Sequence, residues 1–185
     1  MNNEKEADMR INVHAGHNPA GMTACGAVGL INESTENRKV KNEVIRLLKM
    51  RNDTVYDCTV DNGRNQTDVL RKIVEKCNAH EVDLDISIHF NSAANDSNGD
   101  GKTTGTEVYV YSAASSAAPF AARVCREIGS LGFKNRGVKY NRGLYVLKNT
   151  KAPAMLIECC FVDDRDDVKL YSYEKMAAAI VRAII

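Results

Sequence analysis

Four residues of this chain have side chains suited to metal-assisted hydrolysis. They are two histidines, His17 and His89, and two glutamates, Glu33 and Glu158. Two imidazoles and one carboxylate that leave one position open are the ligand set of a catalytic zinc site. A second carboxylate beside such a set can move the proton that hydrolysis requires. We therefore expect these four residues to form one site, with one glutamate as a ligand and the other as the proton shuttle.

The pattern of apolar residues predicts strands that alternate with helices. Helices of ten or more residues between strands imply crossover connections and a largely parallel sheet. We expect a single α/β domain with helices on both faces of that sheet. The predicted strands are 9–14, 54–60, 85–90, 106–111 and 154–160, and the predicted helices are 32–50, 67–80, 119–131 and 173–185.

The four candidate residues lie where these predicted elements begin or end. His17 follows the first strand, His89 is close to the end of the third, and Glu33 begins the first helix. Glu158 is near the end of the last strand, which is otherwise apolar. Charge in a buried strand is costly unless it is paired or bound to a metal. Ligands of open parallel sheets bind at the carboxyl ends of the strands, so this placement favours a shared site.

The remaining histidines and the cysteines fit structural roles. His14 lies within a strand and His80 follows a helix end, so we expect neither to bind the metal. The chain has no CxxC spacing, which argues against a zinc ribbon or a thioredoxin-like site. We expect free and mostly buried thiols at 25, 58, 77, 125, 159 and 160.

The composition is that of an ordinary globular protein. A length of 185 residues, with 44% hydrophobic and 26% charged residues, fits one domain and excludes a disordered tail or a coiled coil. The formal net charge of +1 gives no extended field for nucleic acid. No apolar run approaches the ~20 residues of a membrane span, so we expect no membrane insertion. The polar segment 1–8 lacks the core of a signal peptide, which predicts synthesis in the cytoplasm.

Short motifs along most of the chain, taken in order, are similar to those of one enzyme family. Together they make the chain resemble the zinc-dependent N-acetylmuramoyl-L-alanine amidases of the third amidase class, which occur in bacterial autolysins and phage endolysins. The resemblance runs from about residue 11 to residue 185. The motifs are Gly16-His17 in a turn, Glu33 at a helix start, His89-Phe90-Asn91-Ser92, Gly105-Thr106-Glu107-Val108-Tyr109, Arg136-Gly137-Val138-Lys139, and the segment from Pro153 to Val162 with Glu158.

This resemblance implies a fold, a reaction and a role for each site residue. It implies a sheet of six strands, a Zn²⁺ ion held by His17, Glu33 and His89, and Glu158 as the catalytic acid and base. The implied reaction is hydrolysis of the amide between N-acetylmuramic acid and L-alanine in peptidoglycan. We expect the whole chain, 1–185, to be one monomeric catalytic domain that acts on the cell wall after release. No wall-binding domain is visible in it, so the chain is either an isolated catalytic domain or an enzyme that works unaided.

Two other functions use the same features and stay open at this point. A zinc exopeptidase that acts on short peptides would have the same ligands and a different pocket. A non-catalytic wall-binding module on this fold is the second alternative, although such a module has no use for a buried acid beside a metal.

One loop matches a calcium-binding pattern. The stretch 96–101, followed by Glu107, fits the sequence pattern of an EF-hand loop. An EF-hand is flanked by helices, whereas strands are predicted on both sides here. Asp, Asn and Gly are also the residues of ordinary turns, and we expect a plain surface turn.

Two charged stretches have simple interpretations. The acidic run 163–167 is expected to supply negative charge to the N-terminus of the last helix. A basic stretch is either a solvated loop or, in part, a surface that faces the anionic stem peptides of peptidoglycan. Its charged residues are Lys134, Arg136, Lys139, Arg142, Lys148 and Lys151.

Overall fold

A sheet of six strands crosses the middle of the molecule, as seen in a computed structural model that describes residues 8–184. The predicted polar segment 1–8 therefore lies outside the described residues, apart from Asp8. Helices and strands alternate along most of the chain. In chain order the elements are β1 (Arg10–Ala15), α1 (Glu33–Met50), β2 (Thr54–Asp57), α2 (Gln66–Asn78), β3 (Leu84–Asn91), β4 (Thr106–Val110), α3 (Ala118–Gly129), β5 (Asn135–Tyr140), α4 (Tyr145–Asn149), β6 (Ala154–Phe161), α5 (Arg165–Leu170) and α6 (Tyr173–Ile184).

The strand order in the sheet is β2-β1-β3-β6-β4-β5. Every neighbouring pair is parallel except β4 and β6, which are antiparallel. This confirms the predicted α/β domain with a mostly parallel sheet of six strands. Because β4 runs against β6, the first residues of β4 and β5 lie at the same edge of the sheet as the last residues of β1, β3 and β6.

Helices cover the two faces of the sheet unequally. On one face α6 packs against both α1 and α3, and the three helices enclose the main core, which includes Ile11, Ile86 and Ile157. On the other face α2 and α4 contact each other. Asn12, which points to this second face, donates a hydrogen bond to the carbonyl of Cys77 in α2. The second face is thus covered by α2 and the short helix α4, while His89 and Glu158 near its carboxyl edge stay partly exposed.

Several predicted boundaries and elements differ from the structure. The second strand ends at Asp57 rather than at residue 60. The basic stretch, for which a solvated loop was one interpretation, contains β5 and α4 instead. The run 163–167 begins the separate helix α5, not the last helix, and Asp164 is its N-cap through a hydrogen bond from the Asp167 amide. The edge strand β5 is mostly half-exposed, so it carries no strong alternation of apolar and polar residues.

The cysteine prediction is confirmed. All six cysteines are free, five of them are buried, and Cys25 is half-buried. Among residues 8–184, no helix combines the length and the apolar character needed to cross a membrane.

Candidate metal centre and active site

His17, Glu33 and His89 meet at the carboxyl edge of the sheet. The Oε1 atom of Glu33 lies 3.0 Å from Nδ1 of His89 and 3.5 Å from Nε2 of His17. One ligand atom from each residue falls within 4.8 Å of the other two. Three donors this close can bind a single ion, and the tertiary fold has brought them together from a loop, a helix and a strand.

The backbone around His17 is held by the first helix. His17 has a φ of 63°, in the left-handed region that non-glycine residues seldom adopt. Asn37 donates a hydrogen bond to the carbonyl of Gly16, and Arg38 donates one to the carbonyl of His17, both at 2.9 Å. Asn37 and Arg38 come one turn of α1 after Glu33, so the helix that carries one candidate ligand also fixes the turn that carries another. Strained backbone of this kind clusters at functional sites.

Two glycines leave the space that the candidate ligands occupy. A Cβ atom on Gly16 would overlap the imidazole ring of His89, and a Cβ atom on Gly26 would overlap the carboxylate of Glu33. Neither position has room for any other residue without moving a ligand. The sequence motif had included Gly16 only as part of a turn, and Gly26 had been given no role.

Glu33 is a buried and fully engaged carboxylate. Its Oε2 accepts a hydrogen bond from the amide of Ala27 at 2.7 Å, and its Oε1 accepts one from the amide of Phe90 at 3.1 Å. Burial by itself would raise the pKa of Glu33, but the hydrogen bonds to His17 and His89 outweigh burial and hold the pKa well below its usual range. Glu33 is therefore ionised at neutral pH, as a metal ligand must be.

Glu158 lies directly beside this cluster. In the parallel pairing of β3 with β6, Glu158 is opposite His89. Its Oε2 atom is buried and has no hydrogen-bond partner among the described residues. Burial, followed by the negative charges of Glu33 and Glu107, raises the pKa of Glu158 to about 8. Glu158 is thus an acid that carries a proton near neutral pH and has a free oxygen next to the candidate metal ligands.

Glu107 is a further site residue, to which sequence reasoning had assigned no role. In the antiparallel pairing of β4 with β6 it lies opposite Glu158. Its carboxylate accepts hydrogen bonds from Asn91, Tyr109 and Arg136, each at 2.9 Å. The signal that identified Glu158, a carboxylate within a buried strand, was also present for Glu107.

The two remaining histidines lie outside the cluster. His14 is fully buried on β1, where burial lowers its pKa to about 3, and its Nδ1 is 3.5 Å from the hydroxyl of Ser87. His80 stacks on the ring of Tyr56, with centroids 3.8 Å apart. Both arrangements fit the structural roles that were predicted.

The calcium-like loop forms a second acidic cluster. Oxygens of Asp96, Asp100 and Asp166 lie within 4.8 Å of one another. Asp96 accepts hydrogen bonds from the amides of Gly99 and Asp100, which is the geometry of a turn. Glu107, the last residue of the calcium pattern, is instead bound by the donors described above. A plain surface turn remains our prediction for this loop.

The fold and the cluster together define an α/β domain with a candidate metal centre at the carboxyl edge of its sheet. The donor set of two imidazoles and one ionised carboxylate fits zinc, and the glycines provide room for the two ligands next to them. The family model Amidase_3, described as N-acetylmuramoyl-L-alanine amidase, matches residues 3–185. The chain belongs to this family, which confirms the resemblance stated above.

Individual relatives agree with this assignment. An uncharacterized protein of Clostridium perfringens (strain 13 / Type A) is 37% identical over 88% of this chain and 47% of its own length. An endolysin of Bacillus phage SPP1 is 31% identical over 84% of this chain and 56% of its own length. The solved catalytic domain of the CD27L endolysin targeting Clostridia difficile is 28% identical, with a TM-score of 0.83 over 95% of this chain and 96% of that one. The chain thus spans about half the length of each of these two curated relatives.

Proposed function

We propose that this chain is the catalytic domain, 1–185, of a zinc-dependent peptidoglycan hydrolase that cleaves the amide between N-acetylmuramic acid and L-alanine. The observation that carries the proposal is the arrangement of Glu158 beside the cluster of His17, Glu33 and His89. A carboxyl group that can take up and release a proton, next to a donor set for zinc, is what amide hydrolysis requires. Family membership supplies the substrate class.

His17, Glu33 and His89 would hold the zinc ion. When bound, zinc supplies Lewis-acid chemistry: it activates a water molecule and polarises the amide carbonyl. The chain's part is to keep the three donors in place before the ion arrives. Asn37 and Arg38 do so for His17 by fixing its backbone, and the amides of Ala27 in a loop and Phe90 in β3 hold Glu33.

Glu158 would move the proton in both halves of the reaction. As water attacks the carbonyl, Glu158 takes the water's proton on the oxygen that has no other partner. It then gives this proton to the leaving nitrogen of L-alanine, because an amine leaves poorly unless it is protonated. In the metal-free chain the charge of Glu33 contributes to the raised pKa of Glu158. A cation bound at Glu33 would offset this contribution and bring the pKa down toward the operating pH, where acid–base catalysis is most effective.

The alternatives are less well supported. A wall-binding module without activity has no need for a buried acid whose pKa is raised to about 8. A zinc exopeptidase would use the same ligands, and family membership favours the amidase over it. We propose that the protein works as a monomer on peptidoglycan after synthesis in the cytoplasm, as the similarity to a phage endolysin suggests.

The experiment uses purified cell wall and the protein of residues 1–185. Amidase activity releases new amino groups that are N-terminal L-alanine, whereas an exopeptidase releases free amino acids from short peptides. A chelator should abolish the release, and added zinc should restore it. Glu158→Gln should be inactive and still bind zinc. Release of L-alanine termini by the chelated protein, or by Glu158→Gln at the normal rate, would contradict the proposal.

A further inference from the structure

A row of polar residues crosses four neighbouring strands near the carboxyl edge of the sheet. His89 on β3 is opposite Glu158 on β6, and Glu158 is opposite Glu107 on β4. Glu107 in turn forms an ion pair with Arg136 on β5. The row therefore runs from the candidate metal ligands, through the proposed proton shuttle, to an arginine at the edge strand.

Arg136 is held at one end only. Its Nε donates a hydrogen bond to Oε2 of Glu107 at 2.9 Å, and its guanidinium lies 5.1 Å from the centre of the Phe161 ring. A guanidinium has five N–H donors, and Nη1 and Nη2 bond to no acceptor within 8–184. The side chain is 32% exposed, whereas that of Glu107 is 4% exposed. Glu107 thus fixes Nε of the guanidinium, and the fork formed by Nη1 and Nη2 stays available to a ligand.

An irregularity in β5 turns Arg136 toward this row. Thr106 pairs with Asn135 and Val108 pairs with Val138, so Arg136 and Gly137 together face the single residue Glu107. Gly137 has a φ of +78°, which a residue with a side chain adopts at a cost. A bulge of this kind re-aims a side chain and is frequent next to active sites.

Arg136 differs from most of the basic stretch in where it lies. The amide of Asn141 donates to the carbonyl of Val110, the last residue of β4, so the end of β5 is at the sheet edge away from the site. Arg142 lies at that far edge, over the ring of Tyr111. Basic charge near the proposed proton shuttle thus comes from the beginning of β5.

The direction of the substrate follows from the order of the row. Glu158 must contact the leaving nitrogen in order to protonate it, while the candidate metal ligands lie on the β1 and β3 side. The peptide attached to that nitrogen then continues past Glu158 toward β4 and β5. We propose that Arg136 binds a carboxylate of the stem peptide on the leaving-group side of the scissile amide, and that Glu107 positions the guanidinium for this contact. This inference rests on the amidase function proposed above.

The chemistry of the fork matches such a ligand. Two parallel N–H groups of a guanidinium pair with the two oxygens of a carboxylate, and this pairing gives both geometric specificity and strength. Lysine keeps the positive charge beside Glu107 but lacks the fork. Its ammonium is a point charge, so it cannot form the two parallel hydrogen bonds to a substrate carboxylate. Arg136→Lys therefore separates substrate binding from simple neutralisation of Glu107.

The kinetic test compares two soluble substrates. One is a muramoyl dipeptide whose second residue is glutamate, and the other is the same compound with both carboxylates converted to amides. For Arg136→Lys we expect KM to rise about 10- to 100-fold on the acidic substrate and less than about 2-fold on the amide, with kcat nearly unchanged. The matched control Arg142→Lys, at the far edge, should behave as the wild type. Equal effects on both substrates, or no effect on either, would overturn the proposal.

A binding measurement gives a readout that does not need turnover. Calorimetry with the dipeptide L-alanyl-D-glutamate and with its diamide should show tighter binding of the acidic peptide to the wild-type protein, and Arg136→Lys should lose that preference. If the wild type releases no L-alanine termini from wall but this preference is present, the amidase proposal fails, and Arg136 is a carboxylate-binding residue without the proposed role in hydrolysis. If the wild type binds both peptides equally, the role of Arg136 fails. Should Arg136→Lys not fold, the double change Glu107→Gln and Arg136→Gln removes both charges together and takes its place in the calorimetry alone, because the charge of Glu107 also acts on the pKa of Glu158.

Discussion

Glu158→Gln tests the proposed proton shuttle through stability as well as through rate. The ordinary pKa of this carboxyl group is 4.5, and burial raises it to about 8 in the folded chain. The metal-free folded state therefore holds the proton more tightly than the unfolded state does. The contribution of this tighter proton binding to the free energy of unfolding is fully present below pH 4.5 and is lost as the pH rises to about 8. Glutamine, which stays neutral, should not lose it.

The size of the effect follows from the gap between the two pKa values. The gap from 4.5 to about 8 is about 3.5 pH units, and at 1.36 kcal/mol for each unit it corresponds to at most about 5 kcal/mol. The Glu158 side chain is partly exposed, and solvent screening reduces this value. We expect Glu158→Gln to be more stable than the wild type by about 2–3 kcal/mol at pH 9, with little difference at pH 4.5.

Urea unfolding of the metal-free protein in reductant, at several pH values from 4.5 to 9, measures this difference. The control is Glu81→Gln, because Glu81 is exposed and its replacement should leave the pH profile unchanged. A stability difference between Glu158→Gln and the wild type that does not grow with pH would refute the raised pKa.

The same variant should lose activity and keep zinc. Removal of a general acid and base typically lowers the rate about 10²- to 10⁴-fold, and the release of L-alanine termini from wall measures this loss. Near-normal turnover would show that Glu158 is not the shuttle. Zinc lost together with activity would make Glu158 a ligand and Glu33 the candidate base.

Three further predictions concern the site and its surroundings. The wild type should bind roughly one zinc per chain, which His89→Ala should mostly lose and His80→Ala should keep. Equal zinc content of the two variants by elemental analysis would defeat the ligand assignment. Gly16→Ala should weaken zinc binding and lower the free energy of unfolding by about 1–3 kcal/mol, because the added Cβ overlaps the His89 ring. Competition with a chelator measures the zinc affinity, and an unchanged affinity would show that the ring can move freely. Asp100→Ala should leave wall hydrolysis and the melting temperature unchanged with calcium present, and a calcium-dependent rise in the wild-type melting temperature that this variant lacks would favour a calcium site.

The fold class and the four candidate residues could be predicted from the sequence because their signals are local. Alternation of apolar residues within eight positions of β3 identifies a strand, and Asn32 caps α1 through a hydrogen bond from the nearby amide of Thr35. Strand ends of a parallel sheet gather at one edge, so the positions of His17 and His89 in the sequence pattern are enough to predict that they meet.

The tertiary structure alone decided that Glu107 on β4 lies beside Glu158, with Arg136 on β5 next to Glu107. The edge strand β5 has little buried surface, so its residues carry no periodic pattern, and the antiparallel direction of β4 depends on its pairing with a strand some fifty residues later. The contact between Glu107 and Arg136 joins residues 29 positions apart across a bulge. The raised pKa of Glu158 arises from burial and from two carboxylates on other elements. Sequence patterns report which face of an element is buried, but neighbours across a sheet, and the charges they place beside one another, exist only once the strands have paired.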